Sequence, residues 1–307
     1  MLIFVSFILS CLIIIIAQKY FLRNNYIDKI NNRSSHSSIA TRSGGFSIFL
    51  TLFLISVYFY LTGFEIYQFS LLVPLSITMI IGLYDDINGV DFKLKFIFQI
   101  IVAKIIIDNG LIIDNLHGIL GIYELNRIIA QMITIFFIVA IINSINFIDG
   151  IDGLAISIII LFLSLFEIFS ATQSDFFYLS IITISSLVPL YYFNFSKKKK
   201  VFLGDSGSLF LGTLVSVYVI YILSNNYVIK PKFDLHKILF VISILFYPII
   251  DIIRVFFLRV SKGKSPFIAD KNHIHHLIIN KIQSHWKSTF LIILISFLFL
   301  IFIQLIF

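Results

Sequence analysis

The sequence predicts an all-α, polytopic integral membrane protein with about ten transmembrane helices. Three observations lead there. Of the 307 residues, 59% are hydrophobic and only 13% are charged, roughly half the charged share of a soluble domain. Apolar runs of membrane-crossing length recur along the whole chain. The lysines and arginines gather in alternate connections between those runs. A water-soluble fold of this length has too little interior to hide so much apolar side chain. That excludes a soluble enzyme, a secreted module, a disordered chain and a DNA-binding domain. The net charge of +7 then reports how basic residues distribute across a bilayer, and no nucleic-acid partner is expected.

The runs lie at about 2–22, 46–62, 70–84, 94–107, 128–142, 153–170, 176–195, 207–224, 237–258 and 289–307. The first has no basic stretch before it and no small-residue cleavage site, and Lys19 and Arg23 follow it. It reads as a retained helix with its N-terminus outside, not as a signal peptide. The fourth and fifth are short, so they tilt or turn polar ends toward protein or water. The chain reads as a single domain over 1–307, with loops on one face at about 18–45, 84–95, 143–152, 196–206 and 254–288. Cys11, the only cysteine, forms no internal disulfide and leaves no cysteine-based metal site.

Those five loops hold most of the 23 lysines and arginines. They include Lys19, Arg23, Lys29, Arg33 and Arg42; Lys93 and Lys95; Lys197 to Lys200; and Arg254, Arg259, Lys262, Lys264, Lys271, Lys281 and Lys287. The opposite face has Arg127, Lys230, Lys232 and Lys237, and Lys104 falls within a span. By the positive-inside rule the first face is cytoplasmic. The same face collects Asp85, Asp86, Asp149, Asp152, Asp205, His273, His275 and His276, none of which entered the charge rule. Loops remote in sequence can therefore build one site at the cytoplasmic membrane surface.

Gly82-Leu83-Tyr84-Asp85-Asp86 ends the third run. Two adjacent carboxylates beside hydrocarbon need a cation or a proton to compensate them. They suit a metal–phosphate or general-base site, although a helix cap with a solvated loop would use the same residues. Lys93, Lys95 and Gln99 follow on the next run. Lys95 can neutralise phosphate or snorkel to the interface. In Asn143-Ser-Ile-Asn146-Phe-Ile-Asp149-Gly-Ile-Asp152-Gly153, four oxygen-bearing side chains recur at intervals of three. On a helix they share one face, and the glycines allow a break and close approach of a ligand. Carboxylates and amide oxygens suit Mg²⁺ and the hydroxyls of a sugar or nucleoside.

Phe202-Leu-Gly204-Asp205-Ser206-Gly207-Ser208 opens the eighth run. A helix start rich in Gly and Ser offers backbone N–H groups to phosphate, and Asp205 can hold a bridging metal. Asp and Ser are also ordinary N-cap residues. The Lys197–Lys200 run before it reads mainly as a contact to anionic headgroups. His273-Ile-His275-His276 closes the longest loop. Its imidazoles can bind metal, donate to phosphate or move protons; phosphate contact is preferred, because no cysteine partners a zinc site. Arg33-Ser-Ser-His36 and Arg42-Ser-Gly44-Gly45 add a basic loop.

Together these motifs resemble those of the polyprenyl-phosphate N-acetylhexosamine-1-phosphate transferases, from about Asp28 to Leu277 and in that family's order. Tyr84-Asp85-Asp86 with Lys95 and Gln99, Asn143 to Gly153, Phe202 to Ser208, and Ser265-Pro266-Phe267 before the histidines carry the resemblance. The histidine motif with Arg259, and Arg33-Ser-Ser-His36, are most similar to the bacterial N-acetylglucosamine-1-phosphate branch. Departures are Ile39 and Thr41 in place of prolines, Gly89 in place of an acid, and a lysine-rich segment one residue longer than usual between Asn194 and Asp205.

The resemblance implies transfer of an N-acetylhexosamine phosphate from a UDP-N-acetylhexosamine to undecaprenyl phosphate, leaving UMP, as the first membrane step of a cell-envelope glycan. It implies Mg²⁺, with Mn²⁺ as a substitute, at Asp205 and Asn146. Asp152 and Phe202 would contact uracil, with Asn194 as a further substrate contact. Asp85 would be the base, with Asp86, Asp149 and Lys95 beside it. Arg259, His273, His275 and His276 would surround the diphosphate. The implied location is the bacterial cytoplasmic membrane with the site facing the cytoplasm, and a second copy of the chain is a candidate partner. The competing classes are a secondary transporter, which would hold its acids near the midplane and show repeat symmetry, and a lipid-pyrophosphate phosphatase, which would need no nucleotide sugar.

Overall fold

The computed structural model describes residues 1–28, 39–224, 227–233, 236–263, 265 and 272–306. The basic motif at 33–36 and most of the segment before the histidines, residues 264 and 266–271, lie outside the described residues.

The architecture is all-α. The helices are α1 (Leu2–Arg23), α2 (Gly44–Leu61), α3 (Leu72–Asn88), α4 (Phe92–Asp108), α5 (Arg127–Ile148), α6 (Leu154–Phe169), α7 (Phe177–Phe195), α8 (Gly204–Leu223), α9 (Lys237–Ile244), α10 (Phe246–Ser261), α11 (Ile274–Ile282) and α12 (His285–Ile306). Side-chain caps start several of them. Asp91 accepts from the Lys93 amide before α4, and Asn126 accepts from the Ile128 amide before α5.

The count of about ten spans is not reached by the helices of full membrane-crossing length. Among the described residues seven helices are long and apolar enough to cross a membrane, or eight if α9 and α10 form one broken span. α4 has 17 residues and α6 has 16, at 1.5 Å per residue about 26 and 24 Å long, short of a full hydrocarbon core. The run 237–258 is not one helix, because α9 and α10 meet at 79°. Pro248 explains the break. It has no N–H to give Ile244, and its ring crowds that carbonyl.

Large exposed side chains are apolar, among them Phe4, Ile16, Phe136, Phe290, Phe302 and Leu305. This inside-out surface fits hydrocarbon and not water. The interior is organised around α8, in which every residue except Asp205 is buried. Glycines let other backbones reach it. A Cβ on Gly45 of α2 would lie 2.0 Å from the Gly207 nitrogen, and one on Gly82 of α3 would lie 2.3 Å from the Asp205 carbonyl oxygen. In a bilayer such close backbone approach supplies packing energy that hydrophobicity alone does not.

Three two-residue strands, β1 (Ile27–Asp28), β2 (Ala40–Thr41) and β3 (Lys200–Val201), pair in the order β1-β2-β3. β1 is antiparallel to β2, and β2 is parallel to β3. The ladder continues as α2 begins. The Phe202 amide donates to Thr41, and the Gly44 and Gly45 amides donate to the Phe202 and Leu203 carbonyls. The start of α8 is thereby fixed to the start of α2.

Candidate active site

The first turn of α8 is the point of convergence. Asp86, in the last turn of α3, has a side chain 0% exposed. Its Oδ1 accepts the Asp205 amide and its Oδ2 the Ser206 amide, both at 2.9 Å. A side chain of another helix therefore caps α8. This corrects the expectation that these amides are offered to phosphate: the carboxylate of Asp86 already holds them.

Asp85, one residue earlier, faces differently. Its Oδ1 accepts the Val90 amide at 2.6 Å, and its Oδ2 accepts Lys95 Nζ at 2.6 Å. The same ammonium lies 2.5 Å from Asp205 Oδ2. Lys95, at the end of the first turn of α4, thus joins the carboxylates of α3 and α8. Arg42, before α2, closes the other side. It donates to Asp28 at 2.6 Å and lies 3.7 Å from Asp86. Sequence reasoning treated Arg42 as part of a basic loop; its position two residues before the double glycine was the available signal.

The expected face of four oxygen-bearing residues exists as far as Ile148, where α5 ends. Asn143 and Gln99 exchange amide hydrogen bonds at 2.8 and 3.4 Å, linking α4 to α5. Asn146 Nδ2 donates to Ser208 Oγ at 2.7 Å, one turn along α8 from Asp205. Asp149 follows the helix end. Burial pushes its carboxyl well above the usual carboxylate range, and the charges of Asp205 and Asp86 push it further.

Asp152 and Phe202 meet through Lys200. The lysine is buried, its Nζ 2.5 Å from Asp152 Oδ2 and 5.3 Å from the centre of the Phe202 ring. His285 Nδ1 accepts the Asp152 amide at 3.0 Å. Of the four-lysine run only Lys200 is buried; Lys197, Lys198 and Lys199 are exposed. Asn194 has another task. Its Oδ1 accepts the Gly153 amide at 2.6 Å and its Nδ2 donates to the Val201 carbonyl at 2.9 Å. Both ends of this buried amide hold backbone, so Asn194 staples α6 to β3.

The histidine motif docks on the same turn after α5. The rings of His273 and Phe147 lie 5.5 Å apart. A Cβ on Gly150 would come within 2.3 Å of His275 Nε2, so only glycine fits there. His275 is fully buried, and burial lowers its imidazole to about 3. The His276 ring lies 4.3 Å from it, tilted by 53°, and is partly exposed. Arg259 Nη2 lies 3.4 Å from His273 Nε2. Sequence reasoning missed Tyr247 and Asp251, which share the buried face of α10 with Arg259. Polar residues at four-residue spacing in an apolar helix were the signal for them.

The donors here are oxygen atoms, as a hard divalent cation requires. Among the described residues no three His, Cys, Asp or Glu side chains form a ready-made metal cage. An octahedral cation that keeps waters and shares substrate phosphates needs only one or two carboxylates. Asp205 supplies one. Asn146 has committed its Nδ2 to Ser208, which leaves its carbonyl end for a cation. The residues fit such an ion.

Comparison with known proteins shows the family. A family model described as Glycosyl transferase family 4 matches residues 68–223, which contain the α3, α5 and α8 motifs. A probable undecaprenyl-phosphate N-acetylglucosaminyl 1-phosphate transferase of Bacillus subtilis (strain 168) is 31% identical over 96% of this chain and 82% of its own length. An undecaprenyl-phosphate alpha-N-acetylglucosaminyl 1-phosphate transferase of Haemophilus influenzae is 32% identical over 96% of this chain and 83% of its own. A decaprenyl-phosphate N-acetylglucosaminephosphotransferase of Mycobacterium leprae is 30% identical over 85% of this chain and 72% of its own. The chain belongs to glycosyl transferase family 4.

Proposed function

We propose that this membrane enzyme moves N-acetylglucosamine-1-phosphate, or a closely related N-acetylhexosamine phosphate, from its UDP-sugar to undecaprenyl phosphate. The products are undecaprenyl-pyrophosphoryl-sugar and UMP. An oxygen of the lipid phosphate attacks the sugar-bearing phosphorus; the new P–O bond forms as the P–O bond to UMP breaks, and UMP leaves with the bridging oxygen. The observation that carries this reading is the meeting of Asp85, Lys95 and Asp205, from three helices, at the first turn of α8. Relatives named for this transfer support it.

Phosphoryl transfer asks a protein mainly for positioning and charge neutralisation. Asp85 takes the proton of the lipid phosphate or orients it, and Lys95 holds that carboxylate in place. Asp149 adds an acid that holds or releases a proton with the local charge. Asp152 and Phe202 bind the uracil. Arg259, His273 and His276 face the diphosphate, with His275 packed behind them. Asp205 and Asn146 would hold Mg²⁺, or Mn²⁺ in its place, which when bound neutralises phosphate charge and stabilises the departing UMP. The site faces the cytoplasm of a bacterial inner membrane, where a soluble nucleotide sugar and a lipid phosphate can meet.

The test is a two-phase assay with purified protein, undecaprenyl phosphate and a panel of UDP-sugars, with products identified by mass spectrometry. The expected result is a pyrophosphoryl-linked N-acetylhexosamine lipid plus UMP, lost on chelation and lost in Asp205→Ala. Release of inorganic phosphate without a nucleotide requirement, or no lipid product from any UDP-N-acetylhexosamine, would overturn the reading.

A further inference from the structure

α10 presents one row of buried side chains at four-residue spacing: Tyr247, Asp251, Val255 and Arg259. Such spacing puts all four on one helix face. The opposite face exposes Ile250, Ile253, Phe257 and Val260. Three members of the buried row are polar, and each has a partner in the histidine motif. Asp251 Oδ2 lies 2.6 Å from His273 Nδ1, and Asp251 Oδ1 accepts the Ile274 amide at 2.7 Å. The Tyr247 hydroxyl lies 3.0 Å from His275 Nδ1. Arg259 Nη2 lies 3.4 Å from His273 Nε2.

The donor inventory of these groups decides the state of His273. An ionised carboxylate only accepts, and a guanidinium only donates. His273 Nδ1, against Asp251, therefore carries the hydrogen. His273 Nε2, against Arg259, keeps its lone pair. The ring is fixed in one tautomer from both sides. The same carboxylate begins α11 by holding the Ile274 amide, so ring orientation and helix start are set by one side chain. Among the described residues Asp251 bonds to His273 and Ile274, and its influence passes through the imidazole.

We infer that Asp251 is a positioning residue that sets the tautomer of His273, so that the Nε2 lone pair of His273 orients Arg259 and the remaining guanidinium donors face the anionic substrate. This rests on the reading of Arg259 and His273 as part of the diphosphate site.

Asp251→Asn tests it. The amide oxygen can still accept from Ile274, which preserves the helix start, but its NH₂ faces Nδ1 and demands the opposite tautomer. Nε2 would then carry hydrogen toward the Arg259 donors. We expect thermal stability close to the parent enzyme and a fall in kcat/KM of about 10–100-fold. His273→Ala should also lose activity, and Asp251→Asn should cost nothing further in the His273→Ala background. Equal losses in both backgrounds, or full activity of Asp251→Asn alone, would overturn the inference.

A readout independent of activity is the long-range ¹H–¹⁵N correlation of ¹⁵N-histidine-labelled enzyme. It should show His273 protonated at Nδ1 in the parent and at Nε2 in Asp251→Asn. Protonation at Nε2 in the parent overturns the inference whatever the kinetics. Full activity of His273→Ala together with the expected tautomers would instead sink the reading of His273 as part of the diphosphate site and leave the tautomer assignment standing.

Discussion

Asp86 and Asp85 are adjacent in sequence and do different work. Asp85 reaches the ammonium of Lys95, while Asp86 turns inward and grips two amides of α8. Removing the Asp86 side chain leaves two enclosed N–H groups without acceptors, at about 1–3 kcal/mol each. Asp86→Ala should therefore melt several degrees lower than the parent and lose transfer activity, because the turn carrying Asp205 loosens. Asp86→Asn keeps one good acceptor and should fall between. Thermal melting and the lipid-product assay on the same preparations check this; a parent-like melting temperature in Asp86→Ala would contradict the capping role. The sequence displayed the Asp pair plainly but not its division of labour. Adjacent helical residues point about 100° apart, and only the neighbouring helices decide which of the two is enclosed.

At the scale of elements, α10 and α11 form a polar seam. His275 sits in it, with Tyr247 on one side and Gly150 on the other. Burial, then the neighbouring charge of His276, lowers its imidazole from the ordinary 6.5 to about 3, against an opposing pull from Asp251. A depressed imidazole means that the folded state binds fewer protons than the unfolded one. Its contribution to stability is complete above about 6.5 and is lost as pH falls through that value toward 3. Melting temperature should therefore decline between pH 7 and pH 5, and His275→Asn should flatten the decline. An unchanged slope in that variant would show that another group is responsible. The element boundaries themselves were partly legible. The apolar run 237–258 looked continuous because composition hides one proline, whereas Pro248 breaks the helix at Leu245. The face of Asn143 and Asn146 followed from spacing alone, since a three-residue interval is a helical one.

For the whole molecule, the distribution of basic residues predicts an orientation that labelling can test. Cys11 is the only cysteine, so Cys11→Ser gives a background for single-cysteine labelling. Lys198→Cys should react with a membrane-impermeant maleimide only in inside-out vesicles, and Tyr123→Cys only in intact cells. Both original side chains are exposed. The reverse pattern would put the site outside. The membrane class and the gathering of acids and histidines on one side were readable from the chain, because hydropathy and charge act over whole segments. Arg42, Tyr247 and Asp251 were not, because their partners lie on other helices and distance in sequence conceals contact.

The enclosure of α8 also bears on how the protein is made. A helix that ends up with no lipid around it must still enter the bilayer from the ribosome, and α8 is less apolar than α1 or α12. α2, α3 and α5, whose backbones it meets, are all synthesised before it. Its seat is therefore ready when it emerges, and α9 packs against it afterwards. A nascent chain stopped short of Gly204 would leave that seat open, with the glycines of α2 and α3 and the carboxylate of Asp86 turned toward an empty slot, a state that membrane proteases are suited to clear.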